Sequence, residues 1–243
     1  YTIVDLFVGT TNAAIRDLHK NFDIPLDSIC LARNAVNVEK FSHPKKIGTF
    51  NKPLEKKLSN SDNVVIVYSG SFKWWKGIDT LIKSIPHIQS PAVEFLLMGG
   101  TQKEIDETKR KINELGILVS IHFTGYLPHD QMINFLHLSD IGIIPNNKSQ
   151  EGQKYTSPMK LFEYMAVGLP IISSRLPSIQ EILDEEYYPS FFEPENPEDL
   201  AKKIDYLISH PDSQKDLVAY TDTLLGKYSW EARTDKIYRF ITT

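Results

Sequence analysis

Short apolar runs alternate with amphipathic stretches along most of the chain. Val64-Val65-Ile66-Val67-Tyr68 reads as a buried strand. From Gly77 to Ile88, Ile78, Leu81, Ile82 and Ile85 recur at helical spacing. Val93 to Met98 reads as a second buried strand, followed by a charged amphipathic helix from Thr101 to Leu115. The alternation continues with a strand over Val119 to Phe123, a helix from about His129 to Leu138, and a strand over Ile141 to Ile144 closed by Pro145. A helix over Ser157 to Val167 and a strand over Pro170 to Ser173 complete it. Continuous β-branched runs separated by helices predict a parallel sheet covered on both faces, a doubly wound, Rossmann-like α/β domain. Ligands of such sheets sit at the carboxyl ends of the strands.

The flanks differ. Residues 1–46 predict a strand (Asp5 to Val8), a helix (Asn12 to Asn21) and a strand (Ser28 to Leu31). Lys45 to Asn60 is rich in lysine and reads as a linker or exposed segment. From Pro197 onward the pattern is mostly helical, with starts near Pro197 and at Ser229-Trp230. The chain opens inside a strand pattern without a methionine and reads as a piece of a longer protein, with neither a basic leader nor a membrane-length apolar run.

Composition narrows the function. The 243 residues carry a net charge of −4, which argues against bulk electrostatic binding of nucleic acid. The lone cysteine, Cys30, excludes an internal disulfide and fits a reducing, cytoplasmic compartment. The histidines show no metal-ligand spacing and no Asp-x-Asp occurs, so no metal is expected.

Three segments carry candidate chemistry. In Gly70-Ser71-Phe72-Lys73-Trp74-Trp75-Lys76-Gly77, small residues follow a strand and a lysine precedes a helix. Backbone N–H groups, the helix start and Lys76 suit a phosphate, and a plain turn with a solvated lysine is the alternative. The segment fits neither the dinucleotide nor the P-loop pattern. In Tyr155 through Pro170, Ser157 is placed to cap a helix, Pro158 to occupy its first position and Lys160 its third. A cation in the first turn opposes the helix dipole unless an anion binds there. Glu163 is the sole acid from Leu161 to Leu169; it either meets hydroxyl donors or pairs with Lys160 at the surface. Gly99-Gly100 and Gly125-Tyr126-Leu127 follow strands, where they serve as turns or leave room for a base.

Together these segments resemble the C-terminal, nucleotide-sugar-binding half of GT-B-fold glycosyltransferases of family 4. The family's G-R/S-x-x-x-x-K-G loop is similar to Gly70-Ser71 through Lys76-Gly77, and its S-P-x-K-x-x-E-x-M-A-x-G-x-P segment to Ser157 through Pro170. Asn34-Ala35-Val36 with Phe41 resembles the segment that links the two halves, and Glu181-Ile182 with Phe191 to Asp199 the stretch that follows. The resemblance implies that residues 1–46 are a remnant of the acceptor-binding domain plus the link, and that 47–243 bind the donor. It implies a retaining transferase of polysaccharide biosynthesis that moves a sugar from a nucleotide diphosphate sugar to a glycan or lipid-linked acceptor, without a cofactor or metal. It also leaves room for peripheral contact with the inner face of the membrane. Lys76 and Glu163 are the implied catalytic residues. Gly70, Ser71, Lys76, Ser157, Met159, Lys160 and Leu161 would hold the diphosphate, Glu163 the ribose, and Tyr126 and Leu127 the base. Two positions depart from the pattern: Tyr155 stands where many members have a first glutamate, and Ser71 where they have arginine. They motivate the second reading, a non-catalytic partner subunit of the same fold. In either case these residues alone are expected not to transfer sugar.

Overall fold

A computed structural model describes residues 6–44, 52–59, 62–184 and 190–242. Two parallel sheets organise it. The smaller pairs β1 (Phe7–Gly9) with β2 (Ile29–Leu31) around α1 (Asn12–Phe22). The larger has six strands: β3 (Val64–Ser69), β4 (Val93–Met98), β5 (Ser120–Gly125), β6 (Ile141–Ile144), β7 (Ile171–Ser174) and β8 (Phe191–Phe192). Their spatial order is β5-β4-β3-β6-β7-β8, and every pairing is parallel. The chain builds outward from β3 to β5 and then returns to place β6 on the other side of β3. The loops after β3 and β6 therefore diverge at their carboxyl ends, which is where this class of sheet binds ligands.

The continuous apolar runs are buried on both faces. All of β4 and β6 is buried, and Ile66, Val67, Phe95, Leu96 and Ile143 are inaccessible to solvent. The doubly wound architecture expected from the pattern is the one observed.

Several local expectations are corrected. The first strand begins at Phe7, and Asp5 lies outside the described residues. Within the expected linker Lys45 to Asn60, Lys52–Ser59 forms a helix, α3, which buries Leu54 and Leu58. Two leucines four apart suffice for an apolar stripe amid lysines; residues 45–51 and 60 lie outside the described residues. The helix expected from Gly77 to Ile88 is α4 (Ile78–Ser84) followed by a tighter turn, Ile85–His87, because Pro86 lacks the N–H that would continue it. Short α2 (Val38–Ser42) and α8 (Pro177–Gln180) were not anticipated. The remaining helices are α5 (Gln102–Glu114), α6 (His129–Leu136), α7 (Met159–Val167), α9 (Pro197–Ser209), α10 (Pro211–Leu225) and α11 (Trp230–Thr242). Among the described residues no helix is long and apolar enough to cross a membrane.

Candidate functional site

Two adjoining cavities open at the divergence of the β3 and β6 loops. One, of about 500 Å3, is lined by Gly70, Ser71, Trp75 and Lys76 from the first loop and by Ser157, Met159, Lys160 and Glu163 around the start of α7. The other, of about 400 Å3, is lined by Met98, Gly99, Gly100, Tyr126 and Leu127. Ser69, Gly70, Ser71 and Met132 line both. The sequence thus brings most of its candidate residues to one place. Leu161 is the exception: it lines neither cavity, its side chain is buried, and its N–H is already bonded to the Pro158 carbonyl at 3.0 Å.

The loop after β3 is held by tyrosines. The Tyr164 hydroxyl accepts the Ser69 N–H at 2.8 Å, and its ring fills the space that Gly142 leaves beside it. The Tyr68 hydroxyl donates to the Ser71 carbonyl at 2.6 Å. Gly70 has a φ of 133°, and a Cβ there would lie 3.4 Å from Lys160 Nζ, so glycine leaves the room in which the buried Nζ packs.

Lys160 is the chemically distinctive group. It is 5% exposed, its Nζ has no hydrogen-bond partner, and that atom lies 3.7 Å above the centre of the Tyr68 ring. Burial pushes its pKa well down, the nearby Lys76 pushes it further, and Glu163 opposes both. Lys76 is half-buried, with Nζ 4.0 Å over the Trp75 ring. Burial and then Lys73 lower its pKa to about 8. Two ammonium groups converging without a paired carboxylate destabilise the empty cavity, and an anion lying between them removes that cost. Glu163, at the cavity wall, has its Oε1 3.8 Å from His129 Nε2. A surface Lys160–Glu163 pair is thereby excluded, since Lys160 is buried and unbonded.

The start of α7 differs from expectation. Helical geometry begins at Met159, with Pro158 in the capping position and no side-chain cap. The Ser157 hydroxyl is already engaged: it accepts the Asn34 N–H at 3.2 Å, while Asn34 Nδ2 donates to the Ser157 carbonyl at 2.7 Å. Lys160 is therefore the second helical residue. The α4 terminus at Gly77 lines a neighbouring groove, not this cavity.

Asn34 and Met132, both lining residues, were not singled out in the sequence as site residues; Asn34 was flagged only as part of the linking segment. At Tyr155 the hydroxyl donates to the Asp17 carboxylate, so this position docks on α1. Arg33 pairs with Glu181 at 2.8 Å and completes the contact between the first segment and the larger sheet's domain. Among the described residues no three His, Cys, Asp or Glu side chains gather so as to hold a metal ion. The arrangement offers a cationic cavity for an anion of diphosphate size beside a mostly apolar slot for a flat ring.

Known proteins resemble this chain in sequence and in fold. The chain is 24% identical over 219 residues to an uncharacterized glycosyltransferase of Methanocaldococcus jannaschii, covering 86% of this chain and 53% of that one. It is 27% identical over 187 residues to the putative teichuronic acid biosynthesis glycosyltransferase TuaH of Bacillus subtilis, covering 75% of this chain and 44% of that one. The chain spans about half the length of the curated relatives it matches. In fold it is similar to the Anabaena protein HepE, solved in complex with UDP-glucose, with a TM-score of 0.82 at 15% identity over 99% of this chain and 64% of that one. Residues 50–223 match the family model of the glycosyl transferases group 1, and the chain belongs to that family.

Proposed function

We propose that this chain is the donor-binding part of a retaining glycosyltransferase that moves a sugar from a nucleoside diphosphate sugar to a glycan or lipid-linked acceptor. The observation that carries the reading is the buried Lys160 side chain, whose Nζ is unbonded and which lines, together with Lys76, a cavity adjoining an apolar slot. Such a pair stabilises a diphosphate, and stabilises it more as charge develops on the departing group. No resident cofactor is called on. Glu163 accepts the ribose hydroxyls, and the base lies against Leu127 and Met98. Retention is what the motif resemblance implies. The UDP-glucose complex of HepE supports the donor class, and the teichuronic acid assignment of TuaH supports a polysaccharide acceptor.

Titrating UDP, GDP and ADP at two salt concentrations tests the reading. At least one is expected to bind, less tightly at high salt; binding of none overturns it. Glu163→Gln keeps the shape and one acceptor, so a loss of only a few-fold is expected, about 1 kcal/mol or less. That loss should shrink for the 2′-deoxynucleotide. Equal losses for both would make Glu163 structural.

A pH dependence follows from Lys76. Its ammonium is charged below about pH 8 and neutral above, so diphosphate affinity is expected to fall as pH rises through that value. Lys76→Arg stays charged and should fall less steeply. A flat profile in the parent chain would remove Lys76 from diphosphate binding.

A further inference from the structure

A groove of about 890 Å3 adjoins the cationic cavity and shares Trp75 with it. Trp74 and Trp75 form one wall, with Asp79 of α4, Lys111 of α5, Asn147 and Glu195 around them. Its size is that of a small-molecule site, and nothing in the transfer reading uses it.

Trp74 is 70% exposed, yet its backbone is fixed. Asn147 Nδ2 donates to the Trp74 carbonyl at 3.2 Å, and the Asn147 N–H donates to the Trp75 carbonyl at 3.1 Å. A rigid turn that holds a large indole in water supplies contact area at low ordering cost. On α4, the Asp79 carboxylate bridges Lys83 and Lys111 at 2.7 Å each. Burial opposes its ionisation, and the two lysines overcome this, so it stays a carboxylate. Three lysines (Lys73, Lys83, Lys111) and four carboxylates (Asp79, Glu104, Glu107, Glu195) line the groove. The signs nearly cancel, in contrast to the cationic cavity next door.

An aromatic platform facing many donors and acceptors, with almost no net charge, matches a ligand with apolar C–H faces and a rim of hydroxyls. We propose that this groove binds an uncharged glycan, at a saccharide site separate from the donor cavity. The pyranose face lies on Trp74, and its hydroxyls reach the Asp79–Lys111 pair and Asn147. A chain extending to Trp75 touches the indole on which Lys76 stacks, one side chain away from the donor cavity.

Maltohexaose, cellohexaose and chitohexaose are titrated into the chain, read by tryptophan fluorescence and calorimetry. Saturable binding of at least one is expected. Trp74→Ala should weaken it about tenfold or more, with an unchanged melting temperature because the side chain is exposed. Trp74→Phe should retain part of the affinity. No saturable response to any of the three, or affinity unchanged by Trp74→Ala, overturns the proposal. UDP, GDP and ADP titrated into the parent chain in parallel report on the donor cavity alone. Failure of all three would count against the transfer reading while the glycan result stands.

Discussion

Replacing Lys160 by methionine is expected to make the empty protein more stable and at the same time cripple its binding of nucleoside diphosphates. Lys160 Nζ is buried without a hydrogen bond, and its nearest electrostatic neighbour of consequence is another lysine. Methionine has a similar length and no charge, and exchanging a buried ionic group for an apolar one is commonly neutral or stabilising by up to about 4 kcal/mol. A gain of roughly 1 kcal/mol appears as about 2–4 °C in a chain of this size. The same change removes a charge-assisted contact to the ligand, worth roughly 1.5–3 kcal/mol, so affinity for UDP should fall about 10- to 100-fold. The pH dependence has a definite sign. The folded pKa lies well below the unfolded value of about 10.4, so between the two the unfolded chain holds the proton more tightly. The cost of Lys160 is thus fully present at low pH and fades as pH rises towards 10.4. The stability advantage of Lys160→Met should narrow along the same path. Thermal melts of both proteins, with and without UDP and across pH, measure all of this. A destabilised variant with unchanged UDP affinity would make Lys160 a structural residue.

The parts of this arrangement legible in the sequence are those governed by local pattern. Val64 to Tyr68 and Ile141 to Ile144 carry no polar side chain but the Tyr68 hydroxyl, and Val93 to Met98 is apolar except for Glu94, which is buried against His122, so no solvent-facing alternative suits such runs. The glycines and lysines of the 70–77 loop and of the α7 start were visible because each follows a strand or opens a helix. Contacts made across the chain were not visible. Ser157 has the chemistry of a cap, but Asn34, 123 residues away, engages its hydroxyl, and the helix starts one residue later than that cap would set it. The helix Lys52–Ser59 was hidden because only Leu54 and Leu58 mark it among polar neighbours. The turn over Glu151–Tyr155 has no pattern of its own; Thr11, the cap of α1, and Asp17 within α1 hold it from a distant part of the chain. Lys160 was expected in the first turn of the helix, and it stands there as the second residue. Its burial became apparent only once Tyr68 and Gly70 were seen to pack around it.

Gly77→Ala is expected to damage the fold and the site together. Gly77 has a φ of 73°, and a Cβ built on it would lie 1.7 Å from the Pro145 carbonyl oxygen. The oxygen is backbone and the position of a Cβ is fixed by the backbone that carries it, so no side-chain rotation relieves the overlap. The loop after β3 and the loop after β6 must separate, and these two loops carry Lys76 and the Asn147 clamp on Trp74 and Trp75. Overpacking and left-handed strain together amount to roughly 3 kcal/mol, or about 6–12 °C in melting temperature. Nucleotide affinity should fall too, because Lys76 is the adjacent residue. Two further glycines separate the causes. Gly168 also has a positive φ, 77°, but its nearest neighbour, Val218, would be 3.8 Å from a Cβ. Gly168→Ala should therefore show only the conformational cost, about 1–2 kcal/mol. At Gly226 the φ is −59° and nothing lies within 4 Å, so Gly226→Ala should leave stability unchanged or raise it by about 0.4–1 kcal/mol. Melting curves of the three variants should rank Gly77→Ala lowest and Gly226→Ala highest. If Gly77→Ala melts no lower than Gly168→Ala, the two loops are not in the close contact that holds Lys76 at the cavity.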